Sequence, residues 1–313
     1  MSLPSMRLSV PLCLGALCLS LAGCFTGIES TPRISESDVR RADVHLTAEQ
    51  RLQADIAPEP PRMWTRGKRW LAGDDKIPMI FAAPLPAGAD SLAGRVLVLD
   101  TIRPYVGVAG DTLAEVVVRA AGIAEPLVYR PDIPMERITA LTRLELPFTV
   151  ELSAVHTADS LLRGRTLYIT TPQWRDPAGK PVSGLRHVAV RIDSVVPGTV
   201  RYPLSVMFTD PDGAPRSVML TYGDSPAATR NFDRMFAFDD PRQRYPRITP
   251  ETWDRIIHSR VAEGMTRDEC RLALGAPASI NRAGNNAGQY ERWNYDQGIY
   301  LIFEDGILIR YRL

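Results

Sequence analysis

Between residue 63 and about residue 222 the chain alternates short apolar runs with clusters of Gly, Pro and Asp. The first half of this stretch holds Pro78-Met79-Ile80-Phe81, Val96-Leu97-Val98-Leu99, Val116-Val117-Val118 and Thr149-Val150-Glu151-Leu152. The second half holds Leu167-Tyr168-Ile169, Val188-Ala189-Val190-Arg191-Ile192, Leu204-Ser205-Val206-Met207-Phe208 and Ser217-Val218-Met219-Leu220. Short runs rich in β-branched and aromatic residues, bounded by turn formers, predict strands. Helical periods are scarce, so the pattern predicts a mostly β domain over 63–235, a sandwich or a barrel. Asp90-Ser91-Leu92-Ala93-Gly94-Arg95-Val96 is echoed by Asp159-Ser160-Leu161-Leu162-Arg163-Gly164-Arg165-Thr166, and Val116–Arg119 by Val188–Arg191. The echo makes the β region a candidate duplication, two related units with a cleft between them. Residues 236–248, with Phe238-Asp239-Asp240-Pro241-Arg242, have the charged, Pro-containing composition of a linker.

Beyond that linker, 249–313 predicts two helices and three strands. Thr249-Pro250-Glu251 reads as an N-cap, a Pro at the first helical position and an acid in the first turn. Trp253, Ile256, Ile257 and Val261 form the buried stripe, and Gly264 stops the helix. Thr266 and Glu269 have the spacing of a capping box, with Met265 and Cys270 at its two staple positions. Gly275 and Pro277 end that second helix. Strands are predicted over Gln289–Tyr295, Ile299–Phe303 and Ile307–Arg312, joined by turns at Asp296-Gln297-Gly298 and Asp305-Gly306. Ile299, Leu301 and Phe303 alternate, as do Ile307, Ile309 and Tyr311, which predicts one sheet face packed on the helices. The fold class expected is therefore α+β, a large β region followed by a small ααβββ domain.

That domain resembles the outer-membrane assembly lipoproteins of the BamE (SmpA/OmlA-like) family, whose fold recurs in β-lactamase inhibitor proteins. The resemblance is carried by Gly264-Met265-Thr266, Leu274-Gly275-Ala276-Pro277, Trp293-x-Tyr295, Tyr300-Leu301-Ile302-Phe303 and Gly306-Ile307-Leu308. It implies the fold of the C-terminal unit and an envelope location. Members of that family are short, and the β region has no counterpart in them.

At the other end, Arg7 precedes an apolar run from Val10 to Leu19, and Leu21-Ala22-Gly23-Cys24 follows. A run this short, with small residues before a cysteine, reads as a cleavable export signal. It resembles a bacterial lipoprotein signal, which implies that 1–23 is removed and that Cys24 is the lipid attachment site. Residues 24–62 then form a spacer and a short helix, entered at Thr47 with Gln50 three positions on. Under the sorting pattern of enterobacterial lipoproteins, which this resemblance brings in, Phe25-Thr26 without Asp after Cys24 implies the outer membrane, facing the periplasm.

Export changes how the composition reads. Removing Arg7 from the 37 basic residues leaves 36 against 36 acidic ones, a balance that favours neither nucleic acid nor a polybasic membrane patch. With Cys13 and Cys18 in the signal and Cys24 acylated, Cys270 stands alone, so no disulfide framework is expected. Of the 37 basic residues, only Lys68, Lys76 and Lys180 are lysines.

Candidate chemistry is sparse. Leu220-Thr221-Tyr222-Gly223-Asp224-Ser225 resembles the nucleophile block of SGNH esterases, but their Asp-x-x-His is missing. The downstream histidine, His258, follows Asp254 by four residues. His45, His156, His187 and His258 lack zinc-ligand spacing, and Asp210-Pro211-Asp212-Gly213 reads as a turn rather than a calcium loop. Trp253, Trp293 and Tyr295 read as core before interface. No cofactor and no enzymatic activity are expected. The expectation is a lipid-anchored envelope protein that binds or scaffolds another envelope protein. The alternatives are an esterase using Ser225 and a carrier of a small or lipidic ligand.

Overall fold

The computed structural model describes residues 46–86, 91–222, 230–285 and 288–313, and residues 46–313 form one compact unit. Signal, Cys24, His45 and Ser225 lie outside the described residues. The chain is α+β, with two large antiparallel sheets followed by a smaller helix-and-strand module.

The first sheet is built from β1 (Arg69–Ala72), β2 (Val96–Val106), β3 (Thr112–Ala120), β4 (Leu127–Tyr129) and β5 (Thr149–Glu151), in the order β4-β3-β2-β1-β5. The second contains β6 (Thr166–Ile169), β7 (Gln173–Arg175), β8 (Pro181–Ser183), β9 (Val188–Pro197), β10 (Leu204–Thr209), β11 (Pro215–Leu220) and β12 (Phe236–Ala237). Its order is β12-β6-β9-β10-β11-β7-β8. Among the described residues neither sheet closes on itself, so the barrel alternative gives way to open sheets. Their edge strands, β4, β5, β8 and β12, are only two or three residues long, and β4 is covered on its outer side by a bridge from Phe81 to Tyr129.

Each sheet has its own core. Leu97, Leu99, Val116 and Val118 bury with Trp70 in the first, and Ile192, Val206, Phe208 and Val218 bury in the second. Strand β1 serves both, since alternation sends Trp70 and Ala72 to the first core and Leu71 to the second. The echoed segments share one turn. Leu92-Ala93-Gly94-Arg95 and Leu162-Arg163-Gly164-Arg165 both place Gly at φ +78°, and in each the Arg N–H returns to the Leu carbonyl. The glycine N–H, however, bonds Ala72 of the preceding strand β1 in one case and Ile192 of the following strand β9 in the other. The recurrence lies in the turn, and the strand order around it differs.

Three expectations in this region change. Pro78-Met79-Ile80 is a turn of 3-10 helix (Ile77–Ile80), as Pro78 suits an N-terminal helical position and not a central strand. Glu151 ends β5, and the chain turns directly into a helix at Leu152–Leu162. That helix packs Ala154, Val155, Ala158 and Leu162 into the second core. The short helix expected within 24–62 is present and packs on the second core. Helix α1 (Ala48–Asp55), closed by the expected Thr47–Gln50 capping box, buries Leu52, and Ile56 just after it is buried too. Its Glu49 and Gln53 side chains accept the backbone N–H groups of Phe238 and Phe232. The helix at Leu152–Leu162 is α2, followed by short helices α3 (Phe232–Met235) and α4 (Pro241–Arg244). Phe236 and Ala237, at the head of the segment read as a linker, are strand β12 paired with β6.

In the C-terminal module, α5 (Pro250–Ile257) is capped by Thr249, and α6 (Arg267–Leu274) by the Thr266–Glu269 box, with Gly275 at φ +87° beyond its end. Helix α5 stops earlier than expected. Ser259 takes φ +55°, and the Ser259 and Arg260 N–H groups return to Ile256 and Arg255, a Schellman closure that leaves Val261 outside the helix. The sheet has four strands: β13 (Ser279–Asn285), β14 (Gly288–Asn294), β15 (Tyr300–Glu304) and β16 (Ile307–Arg312). Strand β13 is one more than the resemblance implies, and its Ser-Ile-Asn-Arg sequence carries little strand propensity. Pairing with β14 along its length forms it. Trp253, Ile256, Cys270, Trp293, Leu301, Phe303 and Leu308 make the core of this module.

Arg186, between β8 and β9, bolts the module to the second sheet. Its guanidinium donates to the Thr170 carbonyl (3.0 Å), Ser259 Oγ (3.1 Å) and the Leu274 carbonyl (3.4 Å), and its backbone N–H to the Ile257 carbonyl. Ile257 and Leu274 end α5 and α6, where helix dipoles favour a cation. Burial lowers the Arg186 guanidinium to about 10. Beside it His187, at φ +54°, points Nε2 at the Leu272 carbonyl (3.0 Å) and meets Trp253 edge-on.

Candidate interaction surface

Ten large apolar side chains stand exposed among the described residues, and four of them, Ile307, Ile309, Tyr311 and Leu313, lie on or just after β16. They are between 37% and 56% exposed, whereas Leu308 is 1% exposed. The expected alternation would have turned Ile307, Ile309 and Tyr311 together toward the helices. A bulge prevents this. Ile302 pairs with Arg310 but Phe303 pairs with Leu308, so Ile309 is an extra residue without a partner. Leu308 and Tyr311 then share the side of Phe303 and Leu301, while Ile307, Arg310 and Arg312 share the open side with Glu304, Ile302 and Tyr300.

Strand β16 is an edge of the four-stranded sheet; its outer row is taken at Leu308, whose N–H and carbonyl bond Met265 and Gly264, and from Ile309 on the outer row is unused by the sheet. Unprotected edges recruit strands from other chains, and proteins commonly blunt them with charge. Here Arg310 and Arg312 are the charges, set between apolar neighbours. On the same open face Arg292 stacks on Tyr300 at 4.7 Å. From Ile309 on, the edge has the chemistry that strand addition uses, main-chain bonds for affinity and side-chain alternation for selectivity.

A second cluster is buried. Lys68, one of the three lysines, places Nζ 2.6 Å from Glu151 Oε1, 2.7 Å from Glu59 Oε2 and 3.0 Å from Ser153 Oγ. Ser153 Oγ donates to Glu151 Oε1 at 2.7 Å, and Trp64 and Trp70 flank the ammonium at 5.6 and 5.5 Å. A serine beside a lysine suggests nucleophilic chemistry, which needs a neutral amine. Here Lys68 Nζ is held by two carboxylates, and Ser153 Oγ gives its proton to Glu151 rather than to the lysine. The cluster ties residues 59–68 to the β5–α2 corner and is a structural ion network. The sequence hinted at it only through the rarity of lysine.

The remaining candidates separate. His156 lies on α2, His187 at the module junction and His258 just after α5, where Nδ1 is 2.8 Å from the Asp254 carbonyl. Asp210 closes the β10–β11 turn, its carboxylate accepting from the Asp212 and Ala214 N–H groups and from Arg216, with Gly213 at φ +82°. Cys270 is buried, and burial pushes its thiol up to about 12. Trp253 and Trp293 are core, and Tyr295 donates its hydroxyl to the Gly275 carbonyl. A cleft of about 220 Å³ opens by Phe148 and Tyr222, with Arg143, Glu145 and Arg201 among its walls. Burial raises the Tyr222 phenol to about 12. Its mixed, charged lining differs from the deep apolar pocket a lipidic ligand needs.

No protein-family model and no curated protein matches this chain.

Proposed function

We propose that this chain is a lipid-anchored envelope protein that acts by binding another envelope protein, with the β16 edge as the contact. The single observation that carries the reading is the concentration of exposed Ile307, Ile309, Tyr311 and Leu313 on an edge strand. The Cys24 anchor, the outer-membrane location and the likeness of the C-terminal module to the BamE family belong to the same reading. They rest on Leu21-Ala22-Gly23-Cys24 and on the Gly264-Met265-Thr266 and Leu274-Gly275-Ala276-Pro277 motifs. The finer fold expectation, a duplicated β region, has the shared Leu-x-Gly-Arg turn as its support.

The test is a cross-linked pull-down of the intact lipoprotein from membranes, compared with an Ile309→Asp/Tyr311→Asp variant. Loss of the same cross-linked partner supports the reading, and an unchanged set of partners refutes it. Cys24→Ser should leave the protein unprocessed or release it to the soluble fraction. Palmitate labelling that persists in that variant defeats the anchor. Fluorophosphonate labelling lost on Ser225→Ala would replace binding with the esterase alternative.

A further inference from the structure

The hairpin between β2 and β3 outruns its sheet on the β1 side, while on the other side Ile133 and Pro134 follow β3 out to Leu113. On one side β1 follows β2 only as far as Leu99, whereas β2 and β3 pair with each other out to Val106 and Thr112. The projecting end, Pro104-Tyr105-Val106-Gly107-Val108-Ala109-Gly110, carries no charge. Val108 is fully exposed and Val106 is 75% exposed, the most exposed pair of valines among the described residues.

The turn keeps part of its backbone satisfied internally. Gly107 N–H donates to the Asp111 carbonyl (2.8 Å) and Gly110 N–H to the Gly107 carbonyl (3.0 Å). Asp111, the last residue of the turn, is exposed, and its carboxylate lies against Gly107. Behind the tip Arg103 and Arg130 share the buried Glu115 carboxylate at 2.7 and 3.3 Å, and Arg130 covers the Tyr105 ring at 4.3 Å. Apolar apex, tyrosine and arginines in sequence match the order of environments across a membrane interface.

We propose that this hairpin tip docks into the lipid surface beside the anchor, burying Val106, Val108 and Ala109 at the headgroup level. The proposal rests on the reading that Cys24 is acylated. The 22 residue steps from Cys24 to Leu46 reach at most about 75 Å, at ~3.4 Å per residue, so the body never leaves the vicinity of the bilayer. A convex tip offers far less than the ~1,200 Å² of a stable protein interface. A fluid surface accommodates it without a matching pocket.

The test uses the full lipoprotein reconstituted into phosphatidylethanolamine–phosphatidylglycerol vesicles. An environment-sensitive fluorophore is attached through Val108→Cys or, as control, Val196→Cys on β9. Cys270 is buried and does not compete for label. The expected result is a blue shift and loss of emission to lipid-borne quencher at position 108 and neither at 196. Protein that sediments with vesicles but shows no lipid quenching at 108 overturns the tip and leaves the anchor standing. Protein that stays out of the vesicle pellet overturns both. Protection of position 108 from aqueous iodide without lipid quenching overturns the proposal in favour of a protein contact.

Discussion

Replacing Arg186 with Met should loosen the C-terminal module from the second sheet while leaving both folded. Methionine fills most of the volume, so the perturbation is chiefly polar. Three acceptors lose their donor: the Thr170 carbonyl, Ser259 Oγ and the Leu274 carbonyl. Bonds from a charged donor contribute about 1.5–3 kcal/mol each, and the 3.4 Å contact counts for little. Against this stands the cost of keeping a guanidinium out of water, the cost that lowers Arg186 to about 10. Those terms oppose each other, and the helix ends at Ile257 and Leu274 tip the balance toward loss, leaving a net destabilisation of about 2 kcal/mol. The assay is amide hydrogen exchange across the full chain with calorimetry alongside. Exchange should quicken in α5, α6 and the 170–187 segment and stay unchanged in the first sheet. Arg186→Lys should fall between, because an ammonium cannot span three acceptors fixed for a planar fork. An Arg186→Met chain with native exchange in α5 and α6 would refute the bolt.

Three further outcomes follow from other parts of the molecule. Burial, and then the neighbouring Arg186 charge, keep His187 below the usual histidine range, although the Leu272 carbonyl opposes them. The native state therefore resists a proton that the unfolded chain takes up near pH 6.5. Stability should be full above that pH and decline below it toward the lower native value, by at most about 1.4 kcal/mol per unit. His187→Asn, which tolerates the positive φ, should flatten denaturant midpoints measured between pH 7.5 and 5; an undiminished slope would contradict this. Lys68→Met leaves Glu151 buried without its cation and should cost about 3 kcal/mol in urea unfolding, whereas a cost near zero would show that the network contributes nothing. Trp293→Ala should cost roughly 3–5 kcal/mol and Thr266→Ala about 1 kcal/mol by thermal melting, since the ring is packed 4.7 Å from Phe303 and the threonine only caps α6. An unchanged melt for Trp293→Ala would place the ring outside the core.

What the sequence determined by itself were the features whose partners lie within a few residues. The capping boxes at Thr47–Gln50 and Thr266–Glu269, the cap at Thr249, the Asp305-Gly306 turn and the β runs around Val96, Val116, Val188 and Leu204 are legible because short-range sterics and hydrogen bonds set them. Helix α2 escaped because half of its buried stripe is alanine, too weak a pattern beside the β runs around it. Strand β13 escaped because its partner, not its composition, makes it a strand. The Ile307-x-Ile309-x-Tyr311 alternation did not hold to one face because a bulge at Ile309, a property of pairing with β15 and invisible in one strand, keeps Tyr311 on the side of Leu301 and turns Ile307 to the open side. Lys68 joins Glu59, Glu151 and Ser153 across as many as 85 residues, and Arg186 reaches Leu274 across 88. Only the folded chain brings such groups within hydrogen-bond distance, where low dielectric makes their pairing decisive. Tertiary structure therefore decided which charges are buried, how the C-terminal module is held, and that β16 turns apolar side chains toward solvent.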